Sequence, residues 1–263
     1  MFIGNMVTEA IPARVFALYT IVASKNGISR SELKELMEPS GIFVGSSYFN
    51  TVLNTAVELK LIEIQDNYVS LLVSKENMKS IDDFRLYVIS KLEYYEGEQF
   101  YRCTNAIVNL DDKIFKHSSV AESEMLSFLS DYSGQQVTAP MARGWRFWAQ
   151  FIGIGYMNEM AFLPNAYTFI KQVMKLMELE KGKEYQMDEF MAKFNQYGRI
   201  LTANAKKERY LNLALSNGFR ELHDNGEIVL KYISDQEANW SLYPSAEAYK
   251  QPVQAIIYKG VKR

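Results

Sequence analysis

The side chains best suited to chemistry in this 263-residue chain are cations, and they gather late in it. They are Lys206, Lys207, Arg209 and Arg220, with Thr202 and Asn204 just before them. Drawn as one helix reaching Leu222, the stretch places Leu211, Ala214, Leu215, Gly218 and Leu222 on one face. Lys206, Arg209, Leu213, Ser216 and Arg220 fall on the other. Three cations on an outward face can neutralise phosphates, and the hydroxyl of Thr202 and the amide of Asn204 can reach polar edges of bases. The pattern predicts nucleic-acid contact at Thr202, Asn204, Lys206, Lys207, Arg209 and Arg220, with double-stranded DNA as the ligand. The plainer reading of the same residues is a solvated helix face.

Other chemistries find little support. Gly182-Lys183 is followed by Glu184, so the phosphate-cradling loop that ends in Gly-Lys-Ser/Thr is missing, and Gly153-Ile154-Gly155 lacks the third glycine of a dinucleotide fingerprint. One cysteine, Cys103, and two distant histidines, His117 and His223, give no metal-ligand spacing. The acidic-x-Lys triplets Glu32-Leu33-Lys34 and Glu58-Leu59-Lys60 fall in helical segments, not on a strand beside another acid, which argues against a nuclease centre. The expectation is a non-enzymatic chain with no cofactor and no metal.

The elements that would position the cations read in order. Pro12 opens a helix to Ser24 in which Ile11, Val15, Leu18, Tyr19 and Val22 share a face. Ser29 and Glu32 have capping-box spacing and start a short helix to Met37. Ser46 or Ser47 can cap a third helix to Lys60, and Leu61–Ile64 and Tyr68–Leu71 alternate around Gln65-Asp66-Asn67 as a hairpin. Three helices and a hairpin make a winged helix. On its third helix Ser47, Thr51, Asn54 and Glu58 point outward without a cation, so this face is expected to dock protein, either another subunit or a second copy of the chain.

From Ile81 to Leu163 strand signals vanish and helices are expected at 81–95, 98–110, 121–132 and 142–153, with Trp145, Phe147, Trp148, Phe151 and Tyr156 as core. Beyond Pro164 the order repeats: a helix from Ala166 to Glu180, a short strand at 183–187, a helix at 189–194 capped by Asp188, a loop from Gly198, and the cationic helix. A hairpin of Ile228–Ile233 with Trp240–Tyr243 follows, then one more strand from Val253. The fold class expected is mainly α (α+β), with winged helices at 1–78 and 164–263 flanking a helical middle at 79–163.

Charge is near balance, 29 basic against 31 acidic residues, so any pull on nucleic acid must be local. No run of about 18 apolar residues is present, which predicts no membrane span. The N-terminus has no secretory pattern, and with a single cysteine a cytoplasmic setting is expected.

Ile11-Pro12-Ala13-Arg14, Gly144-Trp145-Arg146-Phe147-Trp148 leading to Gly153-Ile154-Gly155, Pro164 and Pro252-Val253-Gln254-Ala255-Ile256 together resemble DpdG-like winged-helix proteins. These are accessory proteins of bacterial DNA-modification and phage-defence islands. The resemblance implies a subunit acting beside an ATPase, helicase or nuclease, and it carries over no catalytic residue. The expected function is a DNA-binding or adaptor subunit of an antiviral defence or DNA-processing complex. A protein-only scaffold and a transcriptional repressor are the alternatives.

Overall fold

The computed structural model describes residues 1–203, 209–232, 239–245 and 248–261. About half the chain is helix and a smaller part strand, an α+β fold. The first elements are α1 (Pro12–Lys25), β1 (Ile28–Ser29), α2 (Arg30–Met37), α3 (Phe49–Glu58), β2 (Ile62–Gln65) and β3 (Tyr68–Leu71). The three strands form an antiparallel sheet in the order β1-β3-β2. Pro at the first turn starts α1, and Asn26 in the left-handed region ends it. Ser29 caps α2 by accepting the Glu32 N–H at 3.2 Å. Asp66 and Asn67 both have positive φ, the two-residue turn whose twist suits a hairpin. The sequence reading lacks β1, which is only two residues long.

The middle contains α4 (Ile81–Lys91), α5 (Gln99–Val108), α6 (Ser123–Ser133) and α7 (Ala139–Ile152), with 3-10 turns at Leu92–Tyr95 and Asp111–Lys116. It is not purely helical. β4 (Gly155–Asn158) and β5 (Ala161–Pro164) make an antiparallel hairpin where no strand was expected. Trp145 and Trp148 are buried as anticipated, whereas Tyr156 is 46% exposed. The N-terminal arm crosses this aromatic group. Phe2 lies 4.8 Å from the Trp148 ring, the Trp148 indole N–H donates to Ala10 O at 2.8 Å, and the Val7 backbone runs so close to Gly144 that a Cβ there would sit 2.5 Å from its carbonyl oxygen.

The last third contains α8 (Tyr167–Leu176), β6 (Glu184–Gln186), α9 (Met187–Thr202), β7 (Tyr210–Leu211), α10 (Leu213–Asp224), β8 (Ile228–Lys231), β9 (Ser241–Leu242) and β10 (Ala255–Tyr258). The sheet order is β6-β10-β8, so the first strand pairs with the last and the last with the middle one, as in the N-terminal sheet. The N-terminal order of helix, strand, helix, helix, strand, strand recurs here with two additions, β7 before α10 and β9 before β10. Two details differ from expectation. The partner of β8 is β10, because Ser241 and Leu242 pair in parallel with Tyr210 and Leu211 instead. Helix α9 runs through Gly198 with a kink, over which the Phe194 ring packs so closely that a Cβ would lie 2.4 Å from it.

One continuous apolar core runs through all three parts. Hydroxyl contacts join them: Tyr95 donates to Glu58 O at 2.7 Å and Tyr87 to Leu59 O at 2.8 Å, tying the middle to the end of α3. Asn105 reaches Ile200 O at 3.1 Å, tying it to α9. Among the described residues no helix is long and apolar enough to cross a membrane.

Candidate functional site

The cationic helix of the sequence reading is divided in the structure. Asn212 accepts the Leu215 N–H at 3.0 Å and starts α10, so Arg209 precedes the helix, in a turn with positive φ, and Tyr210 and Leu211 are strand. The helical wheel from 206 to 222 therefore spans a break. Asn204, Lys206 and Lys207 lie outside the described residues.

The outward face assigned to α10 is buried. Leu213 is 8% exposed, Ser216 fully covered and Arg220 4% exposed, and among its residues only Asp224, at the C-terminal end, is exposed. Arg220 turns inward, where Nε donates to Tyr249 O at 2.9 Å and Nη2 to Tyr243 O at 2.6 Å. Burial lowers its pKa from the usual guanidinium value, with Asp224 acting weakly the other way. Ser216 donates to Leu211 O and accepts the Tyr243 N–H. Thr202, also buried, donates to Asn195 Oδ1. Arg209 is half exposed and pairs with Asp188 at 2.9 Å.

The N-terminal end of α10 is closed by carboxylates. Asp111, from the 3-10 turn of the middle, accepts the Leu213 N–H at 2.6 Å. Burial first, and then the nearby Asp111 and Asp112 charges, raise the pKa of the Tyr210 and Tyr243 hydroxyls. Burial raises the Asp111 carboxyl above its ordinary range, outweighing the Leu213 N–H that favours its charge, and Asp112 adds to the rise. In helix-turn-helix proteins this end of the third helix meets the groove. Here an acidic pair occupies it.

Helix α3 has a different environment. Asn50 and Asn54 are exposed and Thr51 half-buried. Arg30, at the start of α2, donates to Asn50 Oδ1 at 3.0 Å. Ser47 and Glu58, read as part of this outward face, are engaged within the chain. Ser47 donates to Glu38 at 2.8 Å, and Glu58 accepts the Met1 amino group at 2.8 Å and the Phe2 N–H at 3.1 Å. Neither serine caps α3. The cap is Glu38, eleven residues before Phe49, which accepts the Tyr48 and Phe49 N–H groups at 2.6 and 2.8 Å. Burial penalises this charge, but the Ser47 hydroxyl and the two N–H donors prevail and hold the Glu38 carboxyl below its usual range. The loop it anchors carries Ile42 and Val44, 81% and 96% exposed, with Leu36 of α2 also exposed.

Among the described residues one group brings potential metal ligands together, His117, Glu122 and Glu124, whose ligand atoms all lie within 4.8 Å of one another. His117 Nδ1 and Ser118 Oγ already bond the Glu122 carboxylate. Cys103 is buried and its thiol pKa is pushed up to about 12 by that burial, so it is not a nucleophile.

The chain matches no protein-family model, and no curated protein or solved structure is significantly similar to it.

Proposed function

We propose that this chain is a non-enzymatic adaptor made of two winged-helix units around a helical middle, and that it meets a protein partner through α3 and the loop before it. The strand order, repeated at both ends, supports the winged-helix reading. One observation carries the choice of surface: of the two third helices, α10 is buried over most of its length, whereas α3 keeps Asn50 and Asn54 in solvent and follows a loop that exposes Ile42 and Val44. Two large apolar side chains left in water in the loop leading to an exposed polar helix face are what a protein interface offers before it is covered. Thr51 and Asn54 stay in this surface, while Ser47 and Glu58 are engaged by contacts within the chain. The resemblance to defence-island proteins supplies the partner's class, an ATPase, helicase or nuclease subunit.

Duplex DNA is the second reading. Arg30 on α2 donates to the exposed amide of Asn50, a combination of cation and amide that suits phosphate and base edges. Against it, Glu38 occupies the N-terminus of α3, and the cations described in the C-terminal unit near α10 are either buried or paired: Arg220 with carbonyls, Arg209 with Asp188, Lys231 with Glu184.

A photo-reactive side chain placed at Asn54, in cells that naturally make this protein, tests the reading. The expected result is a cross-link to one defined protein that is lost when Ile42 and Val44 are both changed to Glu. Cross-links that this change leaves intact, or that form only to DNA, overturn it.

A further inference from the structure

The imidazole of His117 and the carboxylates of Glu122 and Glu124 converge in the middle of the chain, away from the docking surface. His117 follows the 3-10 turn Asp111–Lys116 and donates its N–H to Ile114 O at 3.1 Å. Glu122 and Glu124 stand at the start of α6. The loop between them is tied down. Val120 is buried and donates to Met160 O at 2.9 Å, in the turn between β4 and β5, and Ser119 accepts the Ala121 N–H at its hydroxyl and the Glu122 N–H at its carbonyl. The backbone is therefore set, and only side-chain rotations remain to bring the three groups onto one ion.

An acid at the start of a helix ordinarily serves the unpaired N–H groups there. Glu122 does not. It holds the N-cap position of α6, yet its side chain takes no N–H of that helix and turns to His117 Nδ1 and Ser118 Oγ instead. Glu124 has neither a hydrogen bond nor an ion pair among the described residues, although its carboxylate stands within 4.8 Å of the His117 nitrogen and of the Glu122 carboxylate. With His117 neutral, two negative charges share that space, and even with His117 protonated one of them is left unbalanced. Like charges so close repel unless a cation lies between them. The groups are also within reach of solvent: the His117 and Glu122 side chains are 18% and 26% exposed, and Glu124 is exposed. Three atoms no farther than 4.8 Å from one another have a common point within about 2.8 Å of each, so movements of less than about 1 Å bring them to the roughly 2.0–2.2 Å of zinc–nitrogen and zinc–oxygen bonds.

We infer that His117, Glu122 and Glu124 bind one divalent transition-metal ion, zinc being the best match, through one imidazole nitrogen and two carboxylate oxygens, with water completing the tetrahedron. The nitrogen ligand selects zinc over magnesium and calcium, which take oxygen ligands. The ion replaces the proton between His117 Nδ1 and Glu122, and that proton leaves to solvent. Ser118 Oγ stays on the second Glu122 oxygen and orients the carboxylate. The N-terminus of α6 opposes a cation only with a partial charge, which two full carboxylate charges outweigh. Bound there, the ion clamps the 3-10 turn to α6. This site is independent of the α3 surface and stands whether or not that surface docks protein.

The full chain, stripped with a chelator and titrated with zinc against a chromogenic competitor, tests it. Saturable binding of one equivalent is expected, with a rise in melting temperature, because only the folded chain gathers the three ligands. An excess of magnesium of about a hundredfold should not displace the zinc. Glu124→Gln removes one ligand at an exposed position, leaves the fold intact, and should weaken binding at least about tenfold and cancel the melting shift. His117→Asn should weaken it at least as much, and if that variant does not fold, Glu124→Gln decides. Glu189→Gln, an exposed acid elsewhere, should change nothing. Absence of a one-to-one stoichiometry overturns the inference, as does binding that Glu124→Gln leaves unchanged or that magnesium displaces.

Discussion

The two ends of this molecule share one plan and use its third helix in opposite ways. In the N-terminal unit α3 lies over the small sheet with Asn50 and Asn54 in solvent. In the C-terminal unit α10 is packed against α8, and segments that have no counterpart in the N-terminal unit close over its other sides: the middle through Asp111, and the stretch between β8 and β10 through Tyr243 and Tyr249. The same sheet order therefore accompanies one helix with a face in solvent and one that serves as core. Connectivity alone does not make a helix a reading head; its surroundings decide that.

The contrast can be broken most severely at Gly218. A Cβ there would lie 2.7 Å from backbone atoms of Ala166 and Tyr167, so α10 and α8 approach through a glycine. Gly218→Val should destabilise the protein by about 3 kcal/mol or more through overpacking, measured by urea unfolding; a loss under about 1 kcal/mol would mean α10 is not tightly packed. Arg220→Ala comes next. It removes two carbonyl contacts of a buried charged donor and should cost about 3 kcal/mol. Arg209→Ala, which breaks only a half-exposed ion pair, should cost less than about 1 kcal/mol. Equal effects would place both arginines at the surface.

Glu38 provides the third comparison, at the open helix. Glu38→Gln should cost about 1–2 kcal/mol, the usual size of an N-terminal cap. The cost should depend on pH in a direction fixed by the lowered carboxyl pKa. A carboxyl lowered on folding stabilises the protein above its unfolded pKa, and that contribution fades as pH falls through the folded value. Wild type and Glu38→Gln should differ most near neutral pH and converge in acid below the ordinary carboxylate range. A difference that grew on acidification would remove Glu38 from its capping role. Smallest of all, Asn54→Ala should change stability by no more than about 0.5 kcal/mol, because an exposed amide packs against nothing.

Much of the N-terminal unit is legible in sequence because its signals are local: Pro12, the Ser29 and Glu32 spacing, and Asp66-Asn67 each fix a turn within a few residues. The C-terminal unit misleads for equally physical reasons. Lys206, Arg209, Leu213, Ser216 and Arg220 keep helical spacing across Arg209 to Leu211, hiding the break, although Asn212 is a good capping residue and marks the true start. The nearest hydrophobic run, Trp240 to Tyr243, looks like the partner of β8, whereas the true partner arrives from Ala255 onward. The hairpin at Gly155–Pro164 lacks Val, Ile and Thr, and Tyr156 and Phe162 alone favour strands, too weak a signal to announce them. The fate of Arg220 depends on carbonyl oxygens 23 and 29 residues away, which no side-chain pattern encodes. The cap from Glu38, separated from α3 by a loop, is hidden in the same way.

The most direct test is fluorescence anisotropy of a labelled DNA duplex with the full chain, titrated from low to physiological salt. An adaptor whose α10 is enclosed predicts no saturable duplex binding even at low salt. Binding that falls steeply with salt, as several phosphate contacts require, and that Arg209→Glu weakens, would contradict the account and return the C-terminal unit to the role of a DNA reader.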